Sequence, residues 1–211
     1  MRVLSLNVVY ADIPDVGGSV GITAIDKRPI TGRRTVTPAG IEGDHRCDTK
    51  HHGQTDHAVY VYAREDLDWW QTQLGVELAN GCFGENLTTS GVDWNAIDVG
   101  TTLRVGTAVL QVSAPRIPCS TFSRWLGQEQ WVRRFNDAGR HSTYLRVLQP
   151  GDVGAGDDIE VVHRPGHGCQ VVDVAWVFTG DRDPARLARV ADCDDVDAAT
   201  REKALAAQAA T

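Results

Sequence analysis

The chain has 211 residues, a formal net charge of −7, 42% hydrophobic residues and 23% charged residues. That length suits one domain with a small appendage or two small domains, and the composition is that of a globular chain with a buried core. The acidic balance argues against a nucleic-acid wrapper, and no run reaches the roughly 18 apolar residues of a membrane helix. The opening stretch, MRVLSLNVVYADIPDVGG, brings in acids early and has no cleavage-site pattern, so no signal peptide is expected. Eighteen arginines stand against three lysines, Lys27, Lys50 and Lys203. Arginine makes bidentate anion contacts, but a biased genome would give the same excess.

The first 165 residues read as strands and turns with two helical insertions. AVYVYA (58–63) is apolar, aromatic and β-branched, the pattern of a buried strand. In REDLDWWQTQLG (64–75), Leu67, Trp70 and Leu74 recur with helical spacing, and Gly75 can cap the end. FGENLTTSG (83–91) reads as a turn into a short strand. Residues 98–115 read as a hairpin about Gly106. STFSRWLGQEQWVRRFNDAG (120–139) is expected to be helical, interrupted or kinked near Gly127. Residues 143–165 give two further strands around a Gly/Pro/Asp turn region. Short strands at this spacing suggest a barrel or a folded sheet. After GHGC (166–169) the chain turns apolar and then Ala-rich. Asp183 and Pro184 form a helix start, and two or three small helices are expected over 166–211.

Five cysteines, Cys47, Cys82, Cys119, Cys169 and Cys193, are scattered and form no CxxC. An ordinary zinc ribbon or iron–sulfur cluster therefore loses support, and unpaired thiols suit a reducing, cytoplasmic setting. Three stretches carry chemistry. GDHRCDTKHHGQTDHAV (43–59) concentrates four His, three Asp and one Cys. It could be a polar loop, a metal cage, or a pocket loop that holds an anion. In APRIPCSTF (114–122) two prolines bracket Arg116 and precede Cys119, just before a helix. An adjacent Arg and a helix start favour the thiolate of such a cysteine, although a lone Cys is more often a small buried hydrophobe. In FGENL, Asn86 either recognises a polar ring edge or caps its own turn.

In this order and spacing these segments resemble the MOSC domain, the C-terminal module of molybdenum-cofactor sulfurases that also occurs as small free-standing bacterial proteins. The likeness covers IDKRPITG (25–32), residues 40–63, FGENLTTSGV (83–92), residues 98–119 and YLRVLQPGDVGAGDDIEV (144–161). The tail is similar to the three-helix appendage of the short bacterial branch associated with resistance to N-hydroxylated bases. The resemblance implies a mainly β fold with peripheral helices (α+β). Residues 1–165 would form a MOSC β-barrel like the barrel domain of pyruvate kinase, and residues 166–211 a helical appendage.

The resemblance also assigns residues. Cys119 would be the catalytic and molybdenum-ligating cysteine, or in sulfurase relatives the carrier of a persulfide. Lys27 would face the cofactor phosphate, and Asn86 and Arg116 would line the pterin pocket. His52 and Asp56 fall in the family's HGGxD stretch, where Gln54 replaces the second glycine and His57 stands at the following basic position. Tyr144 and Arg146 match a YxRVL segment. The implied activity is reduction of small N-hydroxylated compounds such as hydroxylaminopurines by a bound molybdenum cofactor (molybdopterin). No pyridoxal phosphate, flavin or iron–sulfur cluster is expected in this chain, so electrons would come from a separate reductase. The alternative is a carrier of the cofactor or of sulfane sulfur on Cys119. A Cys–His hydrolase would need a histidine within hydrogen-bond reach of that thiol. Cys47 is a minor pocket candidate, and Cys82, Cys169 and Cys193 are expected to be structural.

Overall fold

The computed structural model describes residues 1–48, 55–180 and 182–210. Eleven strands are assigned among the described residues: β1 (Arg2–Pro14), β2 (Ile22–Ile30), β3 (Arg33–Thr37), β4 (Gly40–Ile41), β5 (Val59–Ala63), β6 (Leu87–Ser90), β7 (Thr102–Val105), β8 (Ala108–Pro115), β9 (Thr143–Gln149), β10 (Gly151–Gly154) and β11 (Ile159–His163). Six α-helices accompany them: α1 (Arg64–Leu74), α2 (Ser120–Leu126), α3 (Trp131–Ala138), α4 (Val171–Thr179), α5 (Pro184–Ala191) and α6 (Ala198–Ala209). Eight strands hydrogen-bond in the order β11-β7-β8-β9-β5-β6-β1-β2, and β10, β3 and β4 form a second, small sheet.

The large sheet rolls up but is not closed by a full strand pair. Its seam is a single bridge between Arg2 and Asp158. Three backbone bonds flank that bridge: Val3 N–H to Asp157 O at 2.9 Å, Ile159 N–H to Met1 O at 2.9 Å and Gly156 N–H to Val3 O at 2.8 Å. The bulged β1–β2 hairpin extends beyond the seam, with register shifts at Val9/Ala11 and Ala11/Ile13. Such bulges bend a strand and re-aim its side chains.

β5 shows how the sequence makes two cores. Alternate residues of a strand face opposite sides. Val59, Val61 and Ala63 enter the barrel core with Leu6, Leu87, Leu103 and Leu110. Tyr60 and Tyr62 enter an outer aromatic core with Trp70, Phe83, Phe122, Trp131 and Phe135. Trp70 therefore belongs to the core, stacked 5.9 Å from Phe135 with ring planes 3° apart. Its indole N–H donates to Tyr62 Oη at 3.0 Å, so no buried polar atom of that ring is stranded.

The expected helix over 120–139 is two helices. Gly127 closes α2 in the left-handed region at φ +61°. Gln130, at φ +51°, opens α3. The 143–165 region holds three strands rather than two, because GDVG pairs with β3 as β10. α1 ends at Gly75, also left-handed. α5 is capped by the Asp183 carboxylate with Pro184 in its first turn. The tail helices share the barrel core: Val171, Val174, Leu187, Val190 and Ala204 pack into it.

Many of the arginines clamp aspartates. Asp173 is 5% exposed and accepts from the Gln170 N–H, capping α4. It also receives Arg186 Nε and Arg189 Nη2, each at 3.1 Å, which ties α4 to α5. Arg140 pairs with the buried Asp66, and Arg33 forks onto Asp157 with contacts of 2.6 and 2.9 Å. Arginine's rigid fork suits such paired bonds, so much of the excess is structural.

Two stability outcomes follow. Asp173→Ala removes a cap and two charged hydrogen bonds, and is expected to cost roughly 2–4 kcal/mol in urea unfolding. His141 is fully buried, and burial pushes its imidazole down to about 4. The unfolded chain takes up that proton near pH 6.5, and the folded protein only near 4. Stability therefore falls as pH drops through this window, by up to about 3 kcal/mol from this group. Urea unfolding at stepped pH should show a shallower fall over that range for His141→Gln.

Candidate functional site

A cavity of about 830 Å³ opens between the β1–β2 hairpin, the loop after β4, the turn before β6, and the segment joining β8 to α2. Lys27, Asn86, Arg116, Cys119 and Tyr144 all line it, although they lie far apart in sequence.

The wall is built on one carboxylate. Asp44, with its side chain 7% exposed, accepts the Lys27 ammonium at 2.5 Å. It also accepts the Asn86 amide at 2.8 Å and the Val9 N–H at 3.0 Å. Burial lowers the pKa of Lys27, and Asp44 opposes that shift. Gly81 allows the next turn to approach Lys27. At φ +89°, a Cβ there would lie 2.5 Å from the Lys27 carbonyl oxygen. Glu85, fully buried, shapes this FGENL turn by accepting the Gly81 and Phe83 N–H groups at 2.6 and 3.0 Å. Asn86 Oδ1 accepts the Tyr60 N–H at 3.1 Å. Asn86 therefore stitches β1, β5 and the Asp44 loop together instead of capping its own turn.

The opposite wall carries the thiol. β8 ends at Pro115, and the PRIP turn then places Arg116 and Cys119 against each other. Arg116 is 6% exposed, and its Nη2 lies 3.9 Å from Cys119 Sγ. Its other terminal nitrogen donates to Ile117 O. Among the described residues no carboxylate pairs with this guanidinium. Burial raises the Cys119 thiol, but Arg116 and the N–H groups of Phe122 and Thr121 outweigh it, and the net shift is downward. A downward shift is what a nucleophilic or metal-ligating cysteine needs. The side-chain partner of Sγ is Arg116 and not a histidine, which leaves the Cys–His hydrolase without its base among the described residues.

The hairpin tip is fastened over this wall. Asp15 takes Arg124 at 2.6 and 2.8 Å and the Thr121 hydroxyl at 2.7 Å. Those bonds hold its carboxyl below the usual range. Tyr60 and His57 also line the cavity, and among the described residues Tyr60 Oη and His57 Nδ1 are buried without a hydrogen-bond partner. His57 packs against Tyr144, with ring centroids 4.5 Å apart and the planes tilted by 37°. Burial holds its imidazole below the ordinary value.

Asp56 and Arg146 stand off the cavity lining. They pair with each other at 3.4 Å, and Arg146 Nη2 donates to Asp195 O at 3.3 Å, bracing β9 against the tail. His52 lies outside the described residues. Asp44, Arg46, His57, Tyr60 and Asp15 were missed as site residues. For Asp44 and His57 the signal was the crowded 43–59 run, which gives no register. The role of Asp15 depends on a contact with α2 over 100 positions away.

The fold and the cavity thus define a small β-barrel-like domain with a single activated thiol in a partly basic pocket. The MOSC domain family model matches residues 48–160. YflK, an uncharacterized protein of Bacillus subtilis (strain 168), is 35% identical over 169 residues, spanning 80% of this chain and 76% of that protein. YiiM of Escherichia coli (strain K12) is 31% identical over 169 residues, spanning 76% and 74%. The crystal structure of YiiM from Geobacillus stearothermophilus superposes with a TM-score of 0.79 at 24% identity, covering 98% of each chain. The chain belongs to the MOSC domain family. The matched region holds Asn86, Arg116, Cys119 and Tyr144, and Lys27 precedes it. MOSC domains are associated in general with the molybdenum cofactor. Among the described residues no helix is long and apolar enough to cross a membrane.

Arg116→Met tests the electrostatics. Alkylation of Cys119, followed by peptide mass spectrometry across pH, should titrate below the ordinary thiol value of 9.0 in the native protein. In the variant it should titrate above that value, because burial then acts unopposed.

Proposed function

We propose that this protein is a molybdenum-cofactor-dependent reductase of small N-hydroxylated compounds, hydroxylaminopurine-type bases among them, with electrons drawn from a separate reductase. The observation that carries the reading is Arg116. It is a buried guanidinium with no carboxylate partner among the described residues, set beside the thiol of Cys119. A buried cation without a counter-ion is costly, and a bound anion relieves that cost. The phosphate of a pterin cofactor is such an anion, and an Arg fork binds phosphate oxygens well.

The donor set fits the cofactor. Cys119 offers one thiolate to a soft metal. Arg116 supplies net positive charge, whereas the charge of Lys27 is balanced by Asp44. Tyr60 Oη and His57 Nδ1, buried in the wall without a hydrogen-bond partner among the described residues, offer hydrogen bonds to a ring edge or a substrate. The cavity volume falls in the range of small-molecule sites, roughly 300–1,000 Å³. When bound, the cofactor supplies a two-electron redox centre at which N–OH becomes N–H, with two protons taken up and water released. In this reading Cys119 holds the metal and Arg116 holds the phosphate and keeps Cys119 ionised. The Asp15 clamp keeps the hairpin over the site and limits the entry of water.

The test is to purify the protein and Cys119→Ala from a host competent to make the cofactor. Molybdenum, pterin fluorescence and N-hydroxy-base reduction with an added reductase are then measured. The expected result is bound metal and activity in the native protein and loss of both in the variant. Equal metal content in the two, or cofactor-free native protein, overturns the reading. A stable persulfide on Cys119 with no reductase activity replaces it with a sulfur carrier.

A further inference from the structure

We propose that Asp12, His45 and Cys47 form a zinc-type metal site at the mouth of the cavity, separate from Cys119. Cys47 Sγ lies 3.6 Å from Asp12 Oδ1, and His45 Nε2 lies 2.7 Å from the same oxygen. All three ligand atoms fall within 4.8 Å of one another.

The arrangement follows from two local constraints. Asp44 pins the start of the loop to β1, β2 and the turn before β6. His45 and Cys47 follow at alternate positions, and in extended chain such residues face the same way. Arg46, between them, is drawn to the other side, where it donates to Ala58 O at 3.1 Å. On the facing strand, β1 shifts register between Ala11 and Ile13, beside Asp12. The bulge turns that carboxylate toward the loop.

The donors match a tetrahedral cation. One thiolate, one imidazole and one carboxylate suit zinc, whereas magnesium and calcium prefer all-oxygen shells. Metal bonds of about 2.0–2.3 Å place neighbouring ligand atoms roughly 3.5 Å apart. The Cys47–Asp12 separation already meets that spacing. The His45–Asp12 pair opens by under about 1 Å when an ion replaces the proton it shares. Binding also frees the Cys47 thiol proton to solvent. His45 and Cys47 line the cavity, so three protein ligands leave a fourth position, for water or an anion, at its entrance. A closed structural site would have four protein ligands, and the fourth, open position makes this a site for exchangeable ligands.

The site is independent of the proposed reductase reading. The experiment titrates the chelator-stripped full chain with Zn²⁺ by calorimetry and with Co²⁺ by absorbance. It compares the native protein with Cys47→Ser, His45→Ala, Cys119→Ala and Cys193→Ser, each checked for native circular dichroism. The expected result is one ion per chain with a thiolate–cobalt charge-transfer band. Binding should be retained in Cys119→Ala and Cys193→Ser, and weakened roughly tenfold or more in Cys47→Ser and His45→Ala. Absence of binding in the native protein overturns the site. So does full binding in Cys47→Ser, or loss of the ion in Cys119→Ala.

Discussion

The buried carboxylate of Asp44 is the contact on which the cavity depends. It receives a charged amine, a side-chain amide and a backbone N–H from three different parts of the chain. Bonds from charged groups in a poorly solvated place are stronger than surface pairs, and leaving any partner unmatched there is costly. One side chain therefore adds a link across the β1–β2 ladder, positions Asn86, and sets the start of the 45–48 loop. The floor of the site and its entrance share that anchor.

The barrel and the aromatic core meet along β5. Its small branched residues fill the barrel, and its two tyrosines fill the outer layer. Tyr60 consequently reaches the cavity wall from a strand that is buried on both faces, and its hydroxyl has no hydrogen-bond partner among the described residues. α2 and α3 pack on the same aromatic layer, and α2 begins just after Cys119. The helix that follows the thiol is thus seated on rings packed edge-to-face, Phe122 against Phe83, Trp131 and Phe135.

The different partners of two buried cations explain the polarity of the site. Lys27 is matched by Asp44, so it contributes geometry more than field. Among the described residues Arg116 has no carboxylate partner and sits beside the thiol and aromatic rings, so its charge acts on Cys119 and on whatever enters. An acidic chain can therefore hold an anion, because the local field and not the net charge decides binding.

Local patterns were legible where local forces decide them. The alternation in AVYVYA, the spacing of Leu67 and Trp70, the glycine stops and the Asp183–Pro184 start all act within one element, and each element formed. The motifs around Cys119 and Asn86 left their roles open, and the fold sets both residues on the cavity wall. The break between α2 and α3 and the third strand of the 143–165 region were less legible. They depend on a left-handed Gln130 and on pairing with β3. By itself, the sequence determined the elements whose signals are local, and the family. Only the tertiary structure decided which polar residues reach the cavity. Asp56 and Arg146 form an ion pair outside it, while Asp44, Asp15 and Tyr60 arrive from distant segments. The reason is physical: a buried polar group must find its partner, and that partner is chosen by proximity in space, which no local spacing encodes.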